Sequence, residues 1–162
     1  MAINCRISPE LDNLSKYNTI YSWIPGSGNI RPDKDTIIAK NKLFNQINAF
    51  YQSTADYILA EIFNTPIEFN KNGKLHVKTI ISNEFKFIKN KFPYKVPDYN
   101  TNHYVIWYTY AEIPNDNQIN TNIEESIYKI LGKRNFKYVW YENPKMNIPG
   151  IYHLQVFWIE AK

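Results

Sequence analysis

From about Asp35 onward, apolar residues recur at steps of mostly three or four: Ile38, Leu43, Ile47, Phe50, Tyr51, Tyr57, Ile58 and Ile62. That period predicts a long helix, or two helices joined near Ser53. Before it, Ser8-Pro9-Glu10 reads as a helix start, with a hydroxyl cap and proline in the first turn. Pro25-Gly26-Ser27-Gly28 reads as a loop. After it, Ile67 to Val77 has the form of a hairpin turning at Asn72-Gly73.

The pattern is clearest in the last sixty or so residues. His103 to Tyr110 is rich in aromatic and β-branched residues and is expected to be a strand. Asn115-Asp116-Asn117 reads as a loop, and about Asn122 to Leu131 as a helix closed by Gly132. Phe136–Tyr141 and Tyr152–Ile159 read as two further strands. Between them, Glu142-Asn143-Pro144 through Pro149-Gly150 forms a loop. No repeat or linker interrupts the chain. The expected fold is therefore α+β, with N-terminal helices packed on a small, mainly antiparallel β-sheet and one further helix. It is expected as a single domain over 1–162, with a loosely structured segment at 1–35.

Composition changes this picture in a few respects. The 162 residues include 13 Tyr, 9 Phe and 4 Trp, enough to build a substantial core. Asn, Ile, Lys and Tyr are frequent while Gly and Arg are scarce, a bias that an AT-rich genome imposes. The net charge of +4 is accordingly discounted as a sign of function. A single cysteine, Cys5, supports neither a disulfide framework nor a zinc site of paired cysteines. No apolar run approaches the roughly 20 residues that span a bilayer, and the N-terminus lacks the order of a signal peptide. The expectation is a soluble intracellular protein, cytoplasmic or nuclear, with no membrane association.

Five stretches carry a resemblance. Tyr51-Gln52-Ser53 followed by Asp56-Tyr57-Ile58-Leu59 resembles the helical Tyr-Gly-Ser…Tyr-Val-Leu stretch of the fungal N-acetylglucosamine-induced protein family. Asn90-Lys91-Phe92-Pro93-Tyr94 is similar to its Asn-Asp-Phe/Trp-Pro-Tyr, and His103-Tyr104-Val105-Ile106-Trp107 to its His-Leu-Val-Val-Trp. Val139-Trp140-Tyr141-Glu142-Asn143-Pro144 resembles its Ile-Trp-Phe-Lys-Asn-Pro. His153-Leu154-Gln155-Val156 resembles its His-Phe-His-Val. Order and spacing agree over about residues 43–158. Gln52 replaces the family's Gly, Thr109 a Lys that follows its Trp, and Gln155 its second His. The resemblance implies a fold and candidate positions rather than a reaction.

Strand alternation sorts the candidates onto faces. His103, Val105, Trp107 and Thr109 share one face of their strand, and His153, Gln155, Phe157 and Ile159 share one face of theirs. If the two strands lie in one sheet, His103, His153, Gln155 and the loop residue Asn143 are expected to converge on one ligand. Tyr94 and Trp107 would stand nearby. Two imidazoles and two carboxamides suit an anionic small molecule such as a phosphate ester, with His103 and His153 as catalytic acid, base or nucleophile. The set is faintly similar to histidine-triad nucleotide hydrolases and transferases, which place an Asn-containing loop before a strand bearing His-x-His. By that analogy His153 is the nucleophile. The bland alternative makes the histidines hydrogen-bonded core residues and Trp107 and Trp140 packing.

The first functional expectation is thus a site that binds or hydrolyses a phosphorylated or nucleotide-sugar-like molecule. The second is a non-catalytic nucleic-acid or protein-binding module. Residues 71–95 carry seven lysines against the single acid Glu84. Lys86, Lys89, Lys91 and Phe92 would there follow a phosphate backbone and stack on bases. No cofactor is called for. His76, His103 and His153 lack the short spacing of a metal motif, and Gly26-Ser27-Gly28 lacks the strand and lysine of a phosphate loop.

Overall fold

The computed structural model describes residues 6–8, 32–78, 82–95, 100–143 and 148–161. Helix α1 runs Lys34–Phe50. It opens on the Asp33 carboxylate, which accepts the Thr36 N–H at 2.8 Å. Helix α2, Thr54–Phe63, follows after three residues, because Ser53 leaves the helical region and its hydroxyl caps the Asp56 N–H at 3.1 Å. The apolar period therefore belongs to two helices, with the break at Ser53.

A hairpin of β1 (Ile67–Phe69) and β2 (Leu75–Val77) comes next, in the register Ile67↔Val77. Its turn contains Asn72 and Gly73, the latter at φ 75°, a left-handed geometry that glycine adopts without cost. The hairpin is fastened to the helices by polar bonds. Asp56 accepts the Val77 N–H at 2.8 Å, and Lys74 Nζ donates to the Asn48 and Ala49 carbonyls at the end of α1.

Four strands then form one antiparallel sheet: β3 (Phe85–Lys89), β4 (Asn102–Tyr108), β5 (Phe136–Tyr141) and β6 (Tyr152–Glu160), in the order β3-β4-β6-β5. Helix α3, Asp116–Leu131, connects β4 to β5. Its Ile119, Ile123 and Ile127 follow one another at four-residue steps and are fully buried. They pack in one cluster with Ile106, Tyr108, Trp140, Leu154, Val156 and Trp158. Polar bonds seal the margins of this layer. Trp140 Nε1 donates to Asn120, Asn122 donates to the Tyr108 hydroxyl, and the Tyr138 hydroxyl donates to Glu124.

The opposite face of the sheet meets α2, where Ile58, Leu59 and Phe63 cluster with Val105, Trp107 and Ile151. The architecture is α+β, with helices on both faces of a small antiparallel sheet.

Several boundaries differ from the sequence expectation. Helix α3 begins at Asp116 rather than near Asn122, because Asn115 is its cap, accepting the Gln118 N–H at 2.9 Å. The apparent Asn-Asp-Asn loop is a cap and a first turn with its acid, Asp116, correctly placed. Strand β4 ends at Tyr108, two residues early, and Thr109 Oγ1 instead donates to the Ser82 carbonyl. Strand β3 was not anticipated. Pro9 and Glu10 of the expected N-terminal helix start, and the loop at Pro25-Gly26-Ser27-Gly28, lie outside the described residues. Of the segment 1–35, Ile7 bridges Tyr141 at the β5 edge and Ser8 donates its N–H to the Trp140 carbonyl.

Candidate functional site

Register places the candidate side chains together. Strands β4 and β6 pair Trp107 with His153, Val105 with Gln155 and His103 with Phe157, so all six share the face turned to α1 and α2. Helix α2 packs on the lower part of this face. Farther along, the helices and sheet do not close completely, and they enclose a cavity of about 250 Å³.

Its sheet wall is Val105, Trp107, His153 and Gln155. Its helical wall is mainly apolar and aromatic, with Phe44 and Ile47 from α1 and Tyr57, Ile58 and Ile62 from α2. Asn90, Phe92 and Tyr94 close one side and Asn143 and Ile148 another. Lys40 and Lys91 contribute cations against one carboxylate, Glu61, whereas Lys89 borders the cavity from β3 at a position paired with Tyr104 of the opposite face. Lys40 is half-buried, and burial pulls its ammonium below the usual lysine range. Burial, followed by the nearby Glu61 carboxylate, pushes the Tyr57 phenol up.

His153 is 6% exposed and stacks on Trp107, with centroids 4.6 Å apart at 29°. Its Nδ1 lies 3.1 Å from the Ile151 carbonyl. A carbonyl only accepts, so Nδ1 carries the proton and Nε2 carries the lone pair. Burial lowers the pKa of this ring, which keeps it neutral near pH 7.

His103 is the other imidazole of the pair, but it does not line the cavity. It lies flat on Phe157 at 4.2 Å and 14°, with the Tyr94 ring edge-on at 4.8 Å. Both of its nitrogens are engaged. Nδ1 accepts the Tyr94 N–H at 3.0 Å, which forces the proton onto Nε2. Nε2 then donates to Gln155 Oε1 at 2.5 Å. Burial lowers its pKa to about 4, so it is an uncharged donor at neutral pH.

Asn90 completes this support. Its Oδ1 accepts the Phe92 N–H at 2.8 Å, which orients the amide and directs Nδ2 to Gln155 Oε1 at 3.3 Å. The Gln155 oxygen thus receives two donors. The Gln155 amide nitrogen and His153 Nε2 make no hydrogen bond to any of the described residues, although both side chains line the cavity.

Of the residues expected at the site, Tyr94, Trp107, Asn143, His153 and Gln155 line one cavity, and His103 stands in contact with it through Gln155. Asn143 Nδ2 reaches the Tyr94 hydroxyl at 3.4 Å. The basic set is divided. Lys89, Lys91 and Phe92 are cavity residues, whereas Lys86 lies exposed on β3, level with Trp107, and does not line it. Lys40, Tyr57, Glu61 and Asn90 were not singled out as site residues. Asn90 and Tyr57 carry a local signal as residues of the Asn-Lys-Phe-Pro-Tyr and Asp-Tyr-Ile-Leu stretches; Lys40 and Glu61 lie on helices whose period reports burial alone.

Among the described residues no group of three His, Cys, Asp or Glu side chains could hold a metal ion. His76 instead faces Glu68 across the hairpin at 3.3 Å. No helix is long and apolar enough to cross a membrane among the described residues. Comparison with protein-family models, with curated proteins and with solved structures finds no match to the chain.

Proposed function

We propose that this protein binds a small phosphorylated molecule, a sugar phosphate or nucleotide-like ester, in the cavity between α1, α2 and the sheet. The observation that carries the reading is the cavity's division of labour. Aromatic walls at Phe44, Tyr57 and Trp107 suit a ring, uncharged polar groups stand on the sheet, and Lys40 and Lys91 suit a phosphate. At about 250 Å³ it falls below the roughly 300–1,000 Å³ of sites for drug-sized ligands, which favours a compact ligand over a dinucleotide.

Any proton transfer falls to His153, whose Nε2 is the unprotonated nitrogen. His103 is a positioning residue in this reading, since both its nitrogens serve the protein. The nucleic-acid reading has weaker support. Lys86 and Lys89 project to opposite faces of β3, and Phe92 is half-buried in the cavity wall rather than presented as a stacking platform.

The test is a thermal-shift screen of sugar phosphates and nucleoside monophosphates in low salt. A ligand at a hundred times its Kd stabilises the fold by about 2.7 kcal/mol, a shift of several degrees. Lys91→Ala should weaken the hit while leaving the unliganded melting point close to wild type. Absence of any shift across the screen at millimolar concentration would overturn the proposal.

A further inference from the structure

His153 and Gln155 stand at alternate positions of β6 and present opposite polarity to the same cavity. Each polarity is imposed from behind. The Ile151 carbonyl holds the His153 proton on Nδ1, leaving Nε2 able only to accept. His103 Nε2 and Asn90 Nδ2 both donate to Gln155 Oε1, which leaves the Gln155 amide nitrogen able only to donate. The two side chains are 6% and 7% exposed, and neither of these nitrogens has a partner among the described residues. Neither nitrogen is sealed from the cavity, so an entering ligand meets both in place of water. A ligand that satisfies both must offer an acceptor to Gln155 and a donor to His153.

We infer that the cavity recognises a secondary amide, with the carbonyl oxygen taking the Gln155 amide proton and the N–H donating to His153 Nε2. The inference rests on the proposed small-molecule site and names the group read at its sheet wall. Residues two apart on a strand have Cα atoms about 7 Å apart and side chains on the same face, so one small group can reach both. A carboxylate or phosphate at that wall would meet the His153 lone pair, so the anionic end of the ligand belongs with the lysines. Two sources supply a secondary amide: the lactam of a nucleobase, whose carbonyl and N–H leave on one edge, and the N-acyl group of an amino sugar, whose carbonyl and N–H leave on opposite sides. Trp107 lines the same wall, so either lies beside an aromatic side chain.

The experiment measures affinities by calorimetry at neutral pH for two matched pairs. Uridine 5′-monophosphate is compared with its N3-methyl derivative, and N-acetylglucosamine 6-phosphate with glucose 6-phosphate. One amide probe is expected to bind about 10- to 100-fold more tightly than its control, the range for leaving a buried polar pair unmet. The pair that discriminates identifies the source. Equal affinity within both pairs overturns the amide assignment while leaving the phosphate site standing; no binding by any of the four overturns both.

Gln155→Glu keeps an acceptor for His103 and Asn90 but removes the donor. In this variant uridine 5′-monophosphate, whose carbonyl loses its donor, should bind about 10-fold or more weakly, and the N-acyl pair should lose part of its discrimination; unchanged affinities for both amide probes overturn the role of Gln155. If the variant does not fold, the wild-type ratios decide the matter alone.

Discussion

The two faces of the four-stranded sheet are built from the same strands yet treat burial differently. Toward α3, Ile106, Leu154, Val156 and Trp140 meet Ile119, Ile123 and Ile127 with no exposure at all. Toward α1 and α2, the same strands present His103, His153 and Gln155, three buried polar side chains, beside a cavity. Side-chain alternation makes this separation possible, because each strand can devote one face to cohesion and the other to recognition. The sealed face carries the stability that lets the other retain empty volume and costly polar groups.

The comparison is broken or sharpened by three measurements. The largest effect is expected from Ile123→Ala, which opens a void in the closed layer and should cost about 3 kcal/mol in urea unfolding. A loss under about 1 kcal/mol would mean that the α3 layer relaxes and is not the rigid half. Next comes acid. His103 has a folded pKa of about 4 against roughly 6.5 unfolded, so the unfolded chain binds the proton first. Stability is therefore complete above about pH 6.5 and declines as pH falls toward 4, by up to about 1.4 kcal/mol per pH unit from this residue. His153, also lowered by burial, adds to the same trend. His103→Gln should flatten the slope, measured as unfolding midpoints between pH 7 and pH 4.5; an identical slope would place the sensitivity elsewhere. The smallest effect is expected from Ile62→Ala. This side chain is half-buried on the cavity wall, where space already exists, so its loss should cost about 1 kcal/mol. A cost equal to that of Ile123→Ala would erase the distinction between the two faces.

Much of the fold was legible because strong local signals agree with the tertiary outcome. Phe136–Tyr141 forms a strand over the expected span, and Gly132 closes α3 in a left-handed geometry, φ 73°. Strand β3 was not legible. Phe85-Lys86-Phe87-Ile88-Lys89 carries lysines that keep an edge strand soluble, and they masked an alternation completed by pairing with β4. The first turn of α3 was hidden for a related reason. Asp116 and Asn117 have little helix preference of their own, and the Asn115 cap together with burial of Ile119 draws them in.

The candidate site was partly legible in the same way. The shared face of His153, Gln155 and Trp107 followed from alternation once β4 and β6 were neighbours. The unequal roles of the two histidines did not. His103 is set apart by a backbone N–H from Tyr94, nine residues back, and by the Gln155 oxygen on another strand. No spacing in the chain encodes which nitrogen of a ring keeps its proton.

The amino-acid order alone determined the periods: which residues turn inward on each helix and strand, where caps and glycines stop them, and which polar side chains share a face. Only the tertiary structure decided that β6 sits between β4 and β5, that α1 and α2 stop short of covering the polar face, and that Asn90 and Lys40 join it. The reason is physical. Periodicity is a property of neighbours along the backbone, whereas a cavity and a proton's position depend on groups that meet only when distant segments pack.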